Sequence, residues 1–290
     1  MKAKTVETVF APPAPHMVGD GFRVHNFFPS GARIGARRMS PFFMMDYAAK
    51  HDFAPSKTPR GVGAHPHRGF ETVTLAVHGR VAHHDSAGNS GIIGEGDVQW
   101  MTAGSGILHK EYHDEEFSRK GGPMQMVQLW VNLKAKDKMT PPRYQALTAG
   151  EMGRYELPEG KGVVSVVAGE YHGAKGPAKT FSPVNLIRAD LKEGAETGFS
   201  FPADHNTGLL VLEGSVTVDG TPVPTDRFAL FANDGEDFSV RATADAKILI
   251  LSGEPIDEPI ASYGPFVMNT QQEIMQAVED FQSGKFGRLD

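Results

Sequence analysis

The 290-residue chain contains no cysteine. That absence excludes disulfides, thiolate-bound zinc and cysteine-held iron–sulfur clusters, so any metal must sit on nitrogen and oxygen ligands. No apolar run approaches the ~20 residues that cross a bilayer as a helix. The opening "MKAKTVETVFAPPAPH" has no apolar core of signal-peptide length, and the expectation is a cytoplasmic protein without membrane contact. An excess of positive charge is missing as well. Lys and Arg number 29 against 35 Asp and Glu, giving a net charge of −6 and a pI near 6.1, so the overall field does not attract nucleic acid. The densest basic stretch, "GARIGARR" with Arg33, Arg37 and Arg38, reads as solvated arginines in a loop.

Glycine and proline are abundant, at 33 and 20 residues, and they punctuate short runs rich in Val, Ile, Leu and Phe. Such runs include "FETVTLAV", "MQMVQLWVNL", "LLVLEGSVTV" and "KILILSG", separated by turn signals such as Glu95-Gly96-Asp97 and Asp219-Gly220. Many short strands at this spacing predict an all-β fold of sandwich or barrel type. One helix is expected, near the end, in "NTQQEIMQAVEDFQSG". Thr270 and Glu273 form a capping box, Ile274, Val278 and Phe281 an apolar stripe, and Gly284 a stop.

The stretch "KAKDKMTPPRYQ" from Lys134 reads as an exposed connector. It predicts an N-terminal domain over 1–133, a connector over 134–160 and a C-terminal domain over 161–290 that ends in the helix. A faint repeat agrees with the division. "LAVHGRVAHHDSAG" resembles "LLVLEGSVTVDGTP" at an offset of 135, with Gly79 matching Gly214 and Val81 matching Val216. At that offset His65 and His67 fall opposite Ser200 and Pro202, and His205 alone is no ligand set, so no metal is expected in the C-terminal half.

The chemistry concentrates in two pairs. His65 and His67 lie one residue apart, as do His109 and Glu111, and a strand of period two sends each pair to one face. Three imidazoles and a carboxylate suit Fe(II), Mn(II), Ni(II), Cu(II) or Zn(II) with positions left open. Glu71 competes for the carboxylate position. In a regular strand it lies ~13 Å from His67, whereas Glu111 is ~7 Å from His109, so Glu111 is the better ligand and Glu71 a local hydrogen-bonding group. For His78, His83, His84 and His113 a solvated role is expected. Arg68, Phe70, Trp100 and Met101 are the candidates to line a substrate pocket.

The strings "HPHRGFETVT", "GDVQWMTAGSGILHKE", "VQLWVNL" and "GPFVMNT", in this order over nearly the whole chain, resemble the pirin family of the cupin superfamily. The resemblance implies a bicupin of two antiparallel β-barrels, with one divalent metal, Fe(II), held only in the N-terminal barrel by His65, His67, His109 and Glu111. Zinc, nickel, manganese or copper can replace iron in a purified sample. It implies either of two functions. One is quercetinase-type dioxygenase chemistry on a flavonol with O₂, with Glu111 as general base. The other is an iron-dependent, redox-sensing regulator that binds a partner protein, for which Arg68 and the loop from Arg33 to Arg38 would serve as the interface.

Overall fold

In the computed structural model, residues 2–32 and 34–289 are described; Arg33 of the basic loop lies outside them. Strand pairing follows the alternation in the sequence, and the pairings are antiparallel throughout the large sheets. The chain divides into two compact units. One comprises Ala14–Asn26, Phe42–Ala149 and Ile256–Asp290, and the other Met1–Pro13, Phe27–Pro41 and Gly150–Pro255.

The all-β, two-domain architecture is as expected, but neither domain closes into a barrel. In the unit that carries the histidines, a seven-stranded sheet and a four-stranded sheet are present. The larger runs Arg143–Leu147, Val98–Thr102, Phe70–His78, Gly122–Asn132, Phe42–Phe53, Phe22–Phe28 and His16–Val18. The smaller runs Gly61–His67, Ile107–His113, Val81–Asp85 and Ser90–Ile93. The other unit repeats the plan with seven and four strands. Its core interleaves Ile187, Leu209, Val211, Ile248 and Ile250 of the large sheet with Val216, Val218 and Val240 of the small one. Burying one face of each sheet against the other meets the apolar demand of both, as in a β-sandwich. The repeat marks equivalent hairpins: Gly79 and Gly214 turn at φ +84° and +71°, between Phe70–His78 and Val81–Asp85 and between Asn206–Glu213 and Ser215–Val218.

The domain limits read from the sequence need correcting at both ends. The strand Val6–Phe10 pairs with Phe228–Phe231, in the unit built mainly from 150–255. The last helix, Gln271–Gln282, belongs instead to the histidine-bearing unit. Both placements are made by long-range packing, which leaves no mark on local pattern. The helix has the expected capping box, Thr270 Oγ1 accepting from the Glu273 backbone N–H while the Glu273 carboxylate accepts from that of Thr270. Its buried face is not the expected stripe. Ile274, Ala277 and Asp280 are buried and Val278 is partly so, whereas Phe281 is 40% exposed.

This face makes a prediction. Ile274→Ala should lower stability by about 2–4 kcal/mol, the range for a large-to-small core change. Thr270→Ala should cost about 1 kcal/mol through the cap, and Phe281→Ala less than about 1 kcal/mol. Urea unfolding of the three variants checks the order; a Phe281 effect as large as that of Ile274 would contradict the packing.

Candidate metal centre

The centre forms on the inner face of the four-stranded sheet. Gly61–His67 and Ile107–His113 pair with His109 opposite His65 and Ile107 opposite His67, and a register shift separates His109 from Glu111. The period of two turns His65, His67, His109 and Glu111 into the sandwich. The three imidazoles then crowd together, with ring centroids 4.8 Å (His65–His67), 4.3 Å (His65–His109) and 4.7 Å (His67–His109) apart. Each offers a nitrogen within 4.8 Å of the others.

These rings are prepared to donate lone pairs. His65 Nδ1 lies 2.8 Å from the Gly63 carbonyl, an acceptor only, so Nδ1 donates there and Nε2 is the nitrogen left for a metal. His67 Nδ1 and both nitrogens of His109 are buried with no hydrogen-bond partner. Burial pushes His67 and His109 well below the usual imidazole range, reinforced by His65 at His67 and by His67, His65 and His83 at His109. Buried, unpaired polar atoms are uncommon in folded proteins and call for a partner the protein itself does not supply. Three converging imidazoles, two of them buried with unpaired nitrogens, fit a divalent metal ion in their donor chemistry.

Glu111 is held from the opposite sheet. Its Oε1 accepts from Gln99 Nε2 and from Thr74 Oγ1 (3.1 Å), and its Oε2 accepts from Gln128 Nε2 at 2.7 Å. A second grouping joins His83, His109 and Glu111, again with ligand atoms within 4.8 Å of one another. His83 is the functional candidate that the sequence reading set aside as solvated. It is fully buried, pairs across the strands with Glu111, stacks on Tyr144 and places Nε2 3.2 Å from Asp85 Oδ2. The i, i+2 spacing of His83 and Asp85 is the same signal that exposed the other two pairs. His113 is also buried rather than solvated, its Nε2 2.8 Å from the Gly21 carbonyl. His78 and His84 are partly exposed and sit beside Glu95 and Tyr112.

The four residues expected to line a pocket separate. Phe70 lies against the centre, its ring 5.1 Å from His67 and stacked 4.2 Å from Trp130, which is itself 5.2 Å from His67. Met101 is buried beside Ala103, Ile107 and Tyr144. Trp100 alternates with Gln99 on its strand and so faces away from the centre. Arg68 offers no surface, because it is buried and ion-paired to Asp280 at 2.9 Å. A cavity that reaches the centre lies elsewhere. It measures about 30 Å³ and is bounded by His65, Glu111 and Gln128, by Asp46, and by an apolar wall that includes Val18, Phe22 and Met126. One oxygen of Asp46 accepts from Asn26 Nδ2 at 2.8 Å, and burial raises its carboxyl above the usual range.

Glu71 stays off the cluster, as the strand spacing requires. It is buried and accepts from Thr102 Oγ1 at 2.7 Å.

Comparison with known proteins agrees with this fold. The family described as Pirin matches residues 21–131, and the Pirin C-terminal cupin domain matches residues 186–287. A Pseudomonas aeruginosa protein provisionally named a quercetin 2,3-dioxygenase is 50% identical over 273 residues, covering 94% of this chain and 95% of its own. A crystal structure of quercetin 2,3-dioxygenase from Acinetobacter baumannii superposes with a TM-score of 0.94 at 46% identity, covering both chains completely. A bacterial pirin from Escherichia coli, solved in complex with nickel(II), shares the fold at a TM-score of 0.65 and 20% identity, over 86% of this chain and 100% of that one.

Glu71 gives this subsection its prediction. Burial pushes its carboxyl from 4.5 up to about 7. Between these values the native protein keeps a proton that the unfolded chain has released, so this group's contribution to stability falls as pH rises through that window. The loss amounts to about 3 kcal/mol above pH 7. Glu71→Gln keeps an acceptor for Thr102 and cannot ionise. The unfolding free energy of the variant, minus that of the parent, should therefore climb by roughly that amount between pH 4.5 and 8; a difference that stays flat would contradict it.

Proposed function

The chain belongs to the pirin family, and from that premise we propose that it is a metal-dependent dioxygenase cleaving a flavonol such as quercetin with O₂. The observation that carries this reading is the convergence of His65, His67 and His109, with Nδ1 of His67 and both nitrogens of His109 buried and unpaired, beside a carboxylate and an apolar-walled cavity. Fe(II) is the working ion in this proposal. The Irving–Williams order favours nickel, copper or zinc in a purified sample, and manganese is also accommodated by such ligands. His65, His67 and His109, with Glu111 as fourth ligand, would hold a divalent ion, which would supply a Lewis acid able to lower the pKa of a substrate hydroxyl.

Glu111 then serves as the general base. Oε2 is the oxygen to take the proton, since its one donor is the Gln128 amide. Gln128 can turn that amide and accept from the new O–H through its own oxygen, so protonation strands no buried group. Thr74 and Gln99 hold Oε1 throughout and fix the carboxyl plane. Phe70 and Trp130 shield the His67 side, while Val18, Phe22 and Met126 keep bulk water from the other.

The cavity volume supports a second reading. About 30 Å³ is the room of a water molecule, whereas ligand sites typically enclose roughly 300–1,000 Å³. This cavity admits a flavonol only if its apolar wall moves, and the outermost element of that wall is the three-residue edge strand His16–Val18. A site that stays closed suits the alternative, a redox-sensing regulator that binds a partner protein. In that reading Arg68 drops out of the interface because it is buried. Arg38 is engaged by Glu7 and the Phe231 carbonyl, which leaves Arg37 as the exposed cation of the described loop.

Quercetin consumption and metal content measured on the same preparations separate the readings. Glu111→Gln should retain much of its metal and lose roughly 10²-fold or more in turnover, the usual effect of removing a general base. His67→Ala should lose metal, with activity falling in proportion to occupancy. Metal-loaded parent protein that leaves quercetin intact would overturn the dioxygenase reading, and Glu111→Gln at full turnover would remove its base.

A further inference from the structure

We infer that Asp280, on the terminal helix, is a positioning residue for the metal ligand His67, acting through Arg68, so that docking of the C-terminal segment and metal binding are coupled. The inference rests on the reading of His65, His67 and His109 as metal ligands. It does not depend on which reaction, if any, the metal supports.

The geometry begins at the backbone. His67 faces the cluster, and alternation turns Arg68 to the opposite side of the strand. There Arg68 forms a parallel bridge with Phe266, its carbonyl accepting from Val267 N–H at 3.1 Å and its own N–H pointing to the Pro265 carbonyl at 3.4 Å. The side chain is fixed on three sides. Its Nε donates to the Ser105 carbonyl at 2.7 Å, its guanidinium pairs with Asp280 Oδ2 at 2.9 Å, and the same group lies 4.8 Å from the centre of the Phe286 ring. Asp280 is buried on the helix and is itself fixed, with Oδ1 accepting from Gln276 Nε2 at 3.0 Å and Lys285 Nζ at 2.7 Å.

The following residue is clamped as well. Gly69 adopts φ +88°, and a Cβ there would stand 2.1 Å from the Val267 carbonyl oxygen, so no other residue lets the two segments approach so closely. The buried Lys138 ammonium donates to the carbonyls of Gly69 and Val267, both at 2.8 Å, and to Asn132 Oδ1 at 2.6 Å. The second ligand strand has the same backing. Phe286 packs against Gly106, where a Cβ would stand 2.4 Å from its ring, and its carbonyl accepts from Ser86 Oγ, which in turn accepts from the Leu108 N–H. Gly106 directly, and Leu108 through Ser86, thus meet the C-terminal segment on the chain's approach to His109. Groups that orient metal-bound histidines from behind commonly change metal affinity by 10- to 100-fold when altered. Here they belong to residues 265–286, some two hundred positions from His67 in the chain.

The test compares Asp280→Asn with Leu147→Ala, a core change at the far edge of the large sheet in the same unit. Zn(II) affinity is titrated against a chromogenic chelator, and the metal-free Tm is recorded for each protein. Asp280→Asn should weaken Zn(II) binding by about 10-fold or more, while Leu147→Ala lowers Tm without changing affinity. Coupling is reciprocal, so hydrogen exchange on the unmodified protein provides a reading that needs no variant. Adding Zn(II) should slow exchange across Phe266–Met268 and Gln271–Gln282. An affinity for Asp280→Asn within twofold of the parent, or equal losses in both variants, would overturn the inference. So would Zn(II) protection confined to the two ligand strands. A parent protein that binds no Zn(II) would overturn the metal reading itself.

Discussion

Three imidazoles can share one small volume only if they do not all carry a positive charge, and for His67 and His109 desolvation enforces neutrality. His67 and His109 sit in the interior of a β-sandwich, where burial, reinforced by neighbouring imidazoles, presses both well below the usual histidine range. The same burial leaves Nδ1 of His67 and both nitrogens of His109 without hydrogen-bond partners. In a sandwich core this is an unfavourable arrangement, and a divalent cation is a partner that its donor chemistry fits. The strand period supplies the crowding, and the opposing sheet supplies the low dielectric.

The carboxylate is treated differently from the imidazoles. Glu111 stands on the ligand-bearing sheet, yet its hydrogen bonds come from Thr74, Gln99 and Gln128 on the facing sheet. It is therefore a tie between the two layers as well as a ligand candidate. Its orientation depends on the sandwich being assembled, so the centre and the fold of this unit are one cooperative object. Behind the ligand strands, the terminal segment completes the enclosure through Arg68 and Phe286. The centre thus has support from within the sandwich and from outside it.

Much of this was legible in the sequence because strands announce themselves by alternation. His65 with His67, and His109 with Glu111, stand out since two residues of one chemistry at spacing two share a face. The same rule points to His83 with Asp85, but "VAHHD" hides the pair. His84 beside it looks equivalent, and only the register with Ile107–His113 shows that His83 is the inward one. Gln99, Gln128 and Thr74 were invisible for another reason: nothing marks a neutral side chain as a carboxylate's partner until two sheets face each other. The ends of the chain carried no local clue to where they pack. Trp100 was misplaced by a single residue of parity, a small slip that moves a side chain to the opposite face.

The central claim is the donor set, and X-ray absorption at the metal edge on protein loaded with one equivalent of Zn(II) addresses it most directly. The account predicts three imidazole nitrogens and one carboxylate oxygen at about 2.0–2.2 Å, and a Glu111→Gln spectrum that retains the three imidazoles while changing the oxygen shell. Fewer than three imidazoles, or a full set that survives His67→Ala and is lost with His83→Ala, would contradict it.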